Sequence, residues 1–272
     1  MLLRMGVAEK TTAFDKSGSF SRDCHGFLRA VTFEKGGGTM ISMTGVYKTF
    51  SNSLTQSVLE NINLRIGKGE FVYVIGDSGA GKTTMLRMLI GDEAPSRGQI
   101  EVMGQDMSQG SLDGVQGVRR RMGAIFQDLR LIEDMNVIEN ICLALETGQE
   151  SLPQRLKERS LWNQEIEALL HHLGLTTLRK KLVLDLSGGE RQRFAAARCL
   201  IRQPEILVAD EPTGALDHEH TWALMELIQK LHMKGTTVLL ATHDREIVRK
   251  IRRRSCVLRR GKLVIEEGLC AF

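Results

Sequence analysis

Phe71-Val72-Tyr73-Val74-Ile75-Gly76-Asp77-Ser78-Gly79-Ala80-Gly81-Lys82-Thr83-Thr84 decides the fold. Five apolar residues without interruption suit a strand buried on both faces. They run into G-x-x-x-x-G-K-T, the glycine-rich turn that opens a helix near Lys82. Glycines there let backbone N–H groups turn inward around phosphate oxygens, and the helix N-terminus adds its positive dipole end. Lys82 would reach the terminal phosphates, and the Thr83 hydroxyl would ligate Mg²⁺.

Outward from this point, strands alternate with helices. Apolar runs at Val58 to Ile66, Ile206 to Ala209 and Val238 to Thr242 read as strands, and Leu224, Leu227, Ile228 and Leu231 mark an amphipathic helix. A helix is expected from about Glu190 to Ile201, and a hairpin from Cys256 to Glu266 around Arg260-Gly261. Ile166, Leu169, Leu170 and Leu173 fall at helical spacing inside a mostly helical insert. The pattern predicts an α/β fold with a mostly parallel sheet covered by helices. Residues 1–39 mix polar residues with the run Gly36-Gly37-Gly38 and read as a flexible tail, with the compact domain spanning 40–272.

The bulk properties exclude little. The 272 residues carry a net charge of +4, with 42% hydrophobic and 26% charged residues, which is ordinary for a globular chain. Five cysteines are scattered without a C-x-x-C pair, which fits a reducing compartment. No run approaches the ~18 apolar residues of a membrane-spanning helix. The N-terminus lacks the apolar core of a secretory signal, so a cytoplasmic chain is expected.

A second constellation follows the strand Ile206-Leu207-Val208-Ala209. Asp210 and Glu211 stand at its C-terminal end, where open α/β sheets bind ligands. Their side chains point to opposite faces of an extended segment, so they serve two roles. Asp210 would hold Mg²⁺, and Glu211 would orient the attacking water or accept its proton.

Leu186-Ser187-Gly188-Gly189-Glu190, ahead of that pair, resembles the signature of the ABC-type ATPases, and the resemblance covers residue 41 to about 268. It implies a P-loop NTPase of the ABC type, with a RecA-like core, an antiparallel β subdomain and a helical signature subdomain at about 128–190. Phosphate would rest on Gly76 through Thr84. Gln127 resembles the Q-loop glutamine, at the Mg²⁺ and γ-phosphate side with Thr83 and Asp210. His243 resembles the switch histidine and, with Glu211 and Gln127, completes the implied catalytic set. Asp217 in Gly214-Ala215-Leu216-Asp217 resembles the D-loop aspartate, which reaches across a dimer interface; Gly214 departs from the usual Ser. Phe50 occupies the place of the aromatic that stacks on adenine, with Tyr47 its neighbour.

The resemblance further implies a homodimer in which the signature of one copy closes on the ATP of the other, and an integral membrane partner. Phrases such as Ile125-Phe126-Gln127-Asp128 and Ala241-Thr242-His243-Asp244 are similar to the cell-division branch of the family, whose FtsE-type ATPases act with an FtsX-type membrane subunit. The lipoprotein-release and efflux branch, of LolD and MacB type, is the alternative. Arg245 to Lys262 holds nine basic residues, which would face anionic headgroups or form an ion-paired, solvated face. A role on nucleic acid or ribosomes would need an inserted arm, so no nucleic acid is expected.

Overall fold

The computed structural model describes residues 38–50, 57–148, 152 and 154–266. Of the expected tail, residues 1–37 lie outside that description, and Thr39 already belongs to the first strand.

Among the described residues ten strands form two sheets, sorted by two kinds of apolar pattern. Where apolar and polar residues alternate, one face is buried: β1 (Thr39–Lys48), β2 (Leu59–Gly67), β4 (Arg97–Val102) and β5 (Gln105–Asp106) form an antiparallel sheet in the order β2-β1-β4-β5. Where the run is uninterrupted, both faces are covered. Such strands are β3 (Phe71–Ile75), β7 (Ile206–Asp210) and β8 (Thr237–Thr242); with β6 (Met122–Ile125), β9 (Arg254–Arg259) and the edge strand β10 (Lys262–Glu266), whose Val264 is exposed, they form a second sheet ordered β10-β9-β3-β8-β7-β6. All pair in parallel except β10, which returns beside β9 as the expected hairpin.

Side-chain alternation divides the core. Phe71, Tyr73, Leu207, Ala209, Val238 and Leu240 face α3 (Val137–Thr147), α4 (Arg159–His172), α5 (Gly188–Leu200) and α6 (His218–Met233). Val72, Val74, Ile206, Val208, Leu239 and Ala241 face α1 (Lys82–Leu89), α2 (Leu112–Arg121) and the antiparallel sheet. At about 1.5–3 kcal/mol per fully buried aliphatic or aromatic side chain, this double burial makes the central strands the rigid base of whatever stands at their ends.

Those ends converge. Ile75 pairs with Thr242 and Asp210 with Ala241, so the segments after β3, β7 and β8 emerge side by side. The helical insert appears as α3 and α4 between β6 and α5; Ile166, Leu170 and Leu173 are buried as their spacing implied. Helix α5 starts two residues earlier than expected, at Gly188, because the Ser187 and Glu190 side chains cap each other's backbone N–H groups and fix the first turn despite two glycines. A short α7 (Arg245–Lys250) follows β8. No helix among the described residues is long and apolar enough to cross a membrane.

Candidate functional site

Helix α1 begins without a side-chain cap: its N-cap is Gly81 at φ 103°, a conformation that favours glycine. Space requires glycine as well, since a Cβ on Gly81 would lie 2.8 Å from Leu59 Cδ2, and one on Gly76 would lie 2.4 Å from the Leu258 carbonyl oxygen. The loop Asp77 to Thr84 lines a cavity of about 420 Å³, joined by Val58, Gln127, Asp210, Glu211 and His243. Residues from five separate stretches of sequence therefore meet in one cradle.

Its charges are arranged tightly. The buried Lys82 Nζ donates to the carbonyls of Gly76 at 2.6 Å and Asp77 at 3.2 Å, and lies 3.4 Å from Glu211 Oε1. His243 Nδ1 lies 2.8 Å from the same carboxylate oxygen, while the ring itself is largely exposed. Glu211 adopts φ 49°, unusual for a residue with a side chain, and its N–H donates to the Ala241 carbonyl at 3.0 Å.

Asp210 is fully buried, and the Thr83 hydroxyl donates to its Oδ2 at 2.5 Å. Burial pushes its carboxyl above the ordinary range; the Thr83 hydrogen bond opposes the rise and the Glu211 charge adds to it. Its Oδ1 is buried with no hydrogen-bond partner. A hydroxyl beside an orphaned carboxylate oxygen is a hard-oxygen donor set, which fits a small divalent cation.

The signature stretch stands apart from this cavity. Leu186 is buried in the core, and Ser187 to Glu190 are absent from the cavity lining. Ser187 Oγ accepts from the Glu190 N–H at 3.3 Å, and Glu190 Oε2 accepts from the Ser187 N–H at 2.7 Å. Those bonds hold the Glu190 carboxyl below the usual range. Asp217 caps α6 through the His220 N–H at 2.9 Å, and His220 Nδ1 lies 2.7 Å from its Oδ2. Phe50 and Tyr47 are not core aromatics: each is 37% exposed, and Lys48 Nζ sits 4.8 Å from the Phe50 ring centroid.

After Gln127 the chain takes a left-handed course at two consecutive non-glycine residues, Leu129 (φ 43°) and Arg130 (φ 49°). Ion pairs hold it to α1 and the turn beyond: Arg87 with Asp128 at 3.5 Å, Arg130 with both Asp128 and Asp92, and Arg119 with Asp92 at 3.1 Å. Arg198 of α5 donates to the Leu129 carbonyl at 3.1 Å.

A family model described as ABC transporter matches residues 59–214, more than half of the chain. The chain belongs to the ABC transporter ATPases. Relatives of this ABC ATPase include the cell division ATP-binding protein FtsE of Bacillus subtilis, 37% identical over 84% of this chain and 96% of that protein. The methionine import ATP-binding protein MetN of Chromohalobacter salexigens is 37% identical over 86% of this chain and 66% of that protein. Among solved structures, the ATP-binding cassette MJ0796, dimeric and bound to ADP and Pi, superposes with a TM-score of 0.76 at 31% identity, covering 86% of this chain and all of that one.

Two residues of this ABC ATPase site were not singled out by sequence. Val58 lines the cavity from just before β2. Gln192 is buried on α5; its Nε2 donates to the Glu211 carbonyl at 3.0 Å and its Oε1 accepts from the Ala215 N–H at 2.8 Å. The available signal was a polar residue in line with Ala195, Ala196 and Cys199 on the inward stripe of the helix. The basic run Arg245 to Lys262 is dispersed over α7 and the hairpin and partly neutralised, with Lys250 on Glu246 at 2.8 Å and Arg254 on Glu70 at 2.7 Å.

Proposed function

We propose that this ABC ATPase works as a head-to-tail homodimer with Mg²⁺, as the ATP-hydrolysing subunit of a peripheral complex on the cytoplasmic face of the membrane, with an integral partner of the FtsX type in cell division. The observation that carries the dimer is the cavity lining: Asp77 to Thr84, Gln127, Asp210, Glu211 and His243 meet there, while Ser187 to Glu190 form a separate helix N-terminus and Asp217 also lies outside the cavity. A second copy supplies the missing wall. FtsE relatives from several bacteria, 34–38% identical and matched over 96% of their lengths, support the cell-division assignment.

In this reading phosphate oxygens compete with Glu211 for Lys82. The same ammonium now lies 3.4 Å from that carboxylate, so the arrival of ATP draws it onto the terminal phosphates and releases Glu211 to take a proton from water. His243 keeps the carboxylate in place, and the part-exposed Phe50, with Lys48 Nζ over its ring, would stack on adenine. Thr83, Asp210 and Gln127 would hold Mg²⁺, which when bound neutralises charge developing on the phosphoryl oxygens.

The methionine importers, at equal identity, support a second reading as an import cassette. Affinity isolation of the full chain from solubilised membranes separates the two. Recovery with an integral subunit of FtsX type supports division, recovery with a methionine permease supports import, and recovery with ribosomes or DNA would refute both.

A further inference from the structure

We infer that Gln192 is a positioning residue that ties the hydrolytic carboxylate of one ATP site to the loop serving the other. The inference rests on the composite-site reading above. In that arrangement Glu211 acts on the ATP held by its own chain, whereas the signature helix and the segment Gly214 to Asp217 act on the ATP of the second copy. Within one chain, three of these elements converge on a single side-chain amide.

Gln192 projects from the second turn of α5, one turn beyond Ser187, and is buried. Its amide is used at both ends. The N–H₂ group donates to the Glu211 carbonyl at 3.0 Å, and the amide oxygen accepts from the Ala215 N–H at 2.8 Å. The Gly214 N–H reaches the same Glu211 carbonyl at 3.2 Å, which closes a tight turn between the carboxylate and the interface loop. Glu211 needs such support, because its φ of 49° is a conformation that L-residues keep only when surrounding contacts impose it. Gln192 therefore fixes both the backbone that aims the Glu211 side chain and the backbone that leads to Asp217. A movement of α5 when a second copy engages Ser187 is carried directly to Glu211. No other neutral side chain of this shape supplies a donor and an acceptor together except glutamine.

The test uses the full chain and reads ATP hydrolysis against ATP concentration, with nucleotide affinity measured separately by a fluorescent ATP analogue. Gln192→Leu keeps the volume and removes both hydrogen bonds. The turnover number should fall by about tenfold or more, as expected when a reacting group is slightly misplaced, while affinity stays within about twofold and the concentration dependence loses its steepness as the two sites become independent. Gln192→Glu retains the acceptor for Ala215 but cannot donate to the Glu211 carbonyl. When ionised it should lose turnover and steepness together, because the tie is cut at its Glu211 end; Gln192→Met, which keeps the chain length and buries no charge, carries the test if either variant fails to fold. The inference is overturned if Gln192→Leu keeps normal turnover, or if turnover and affinity fall together. Glu211→Gln run alongside separates the two levels. If that variant hydrolyses ATP normally, the reading of Glu211 fails and this inference with it. If it is inactive while Gln192→Leu is normal, only the role of Gln192 is refuted.

Discussion

Two helix N-termini of this chain are candidates for the same anion, and they are built in opposite ways. Helix α1 starts at a left-handed glycine with no side-chain cap, inside a cavity shared with Asp210, Glu211 and His243. Helix α5 starts at Ser187, whose hydroxyl and backbone are already satisfied by Glu190 in a capping box. The first presents its N–H groups to a ligand held within the chain. The second is complete as a helix end and lies outside that cavity. The difference teaches that anion-binding geometry alone does not make a site: α1 has Lys82, Glu211, His243 and the Thr83–Asp210 pair around it, whereas in the proposed dimer α5 would meet such groups only on a second copy.

The largest effects should come from the α1 side. Glu211→Gln is expected to retain ATP binding and slow hydrolysis by a factor on the order of 10²–10⁴, the range for losing a general base. The variant should also accumulate as a dimer at millimolar ATP, read by size-exclusion chromatography. Lys82→Ala should instead weaken binding itself, because it removes the buried ammonium. If both variants bound and hydrolysed ATP like the parent, the contrast between the two helices would collapse.

Ser187→Arg tests the α5 side. It should abolish hydrolysis while leaving the affinity of a single chain for nucleotide within about twofold, since Ser187 lies outside the cavity and in the proposed dimer would act across the interface. Equal loss of affinity would mean that α5 reaches its own phosphate loop.

A third prediction concerns Asp210, whose carboxyl is raised chiefly by burial above its ordinary 3.8. A raised carboxylate lowers stability in its charged form, so the cost is present at neutral pH and disappears as pH falls through the raised folded value toward 3.8. Without nucleotide or metal, Asp210→Asn should therefore raise Tm at neutral pH, with the advantage shrinking towards about pH 4. Mg²⁺-dependent hydrolysis should be lost in the same variant. A Tm below the parent's at neutral pH would show that the carboxylate is already compensated.

The smallest effect sharpens the description of α5. Ser187→Ala should lower stability by about 1 kcal/mol through loss of the cap, seen as a small fall in Tm without nucleotide.

The legible parts of the molecule were contiguous in sequence. Phe71 to Ile75 and Ile206 to Asp210 announced themselves because strands covered on both faces carry few polar interruptions, and Gly76 to Thr84 because one continuous loop supplies eight residues of the cavity lining, Asp77 to Thr84. The start of α5 at Gly188 lies two residues ahead of the expected Glu190, although the Ser187-x-x-Glu190 spacing that caps it is itself readable in sequence. Gln192 escaped because its importance lies in two backbone groups, Glu211 and Ala215, that only the folded chain brings to it. The proximity of Lys82 to Glu211 is likewise a product of strand order, since β3 and β7 both flank β8.

The paired left-handed residues after Gln127 have a mechanical consequence. Asp128 and Arg130 are bolted to the far end of α1 by ion pairs, and Leu129 hangs from Arg198 on α5. The segment is a fulcrum between two levers, one beginning at the phosphates and the other at the signature. Its bolts are largely solvent-accessible charges, so they slacken as electrolyte is added. The stiffness of the joint is thus set in part by the ionic strength around it.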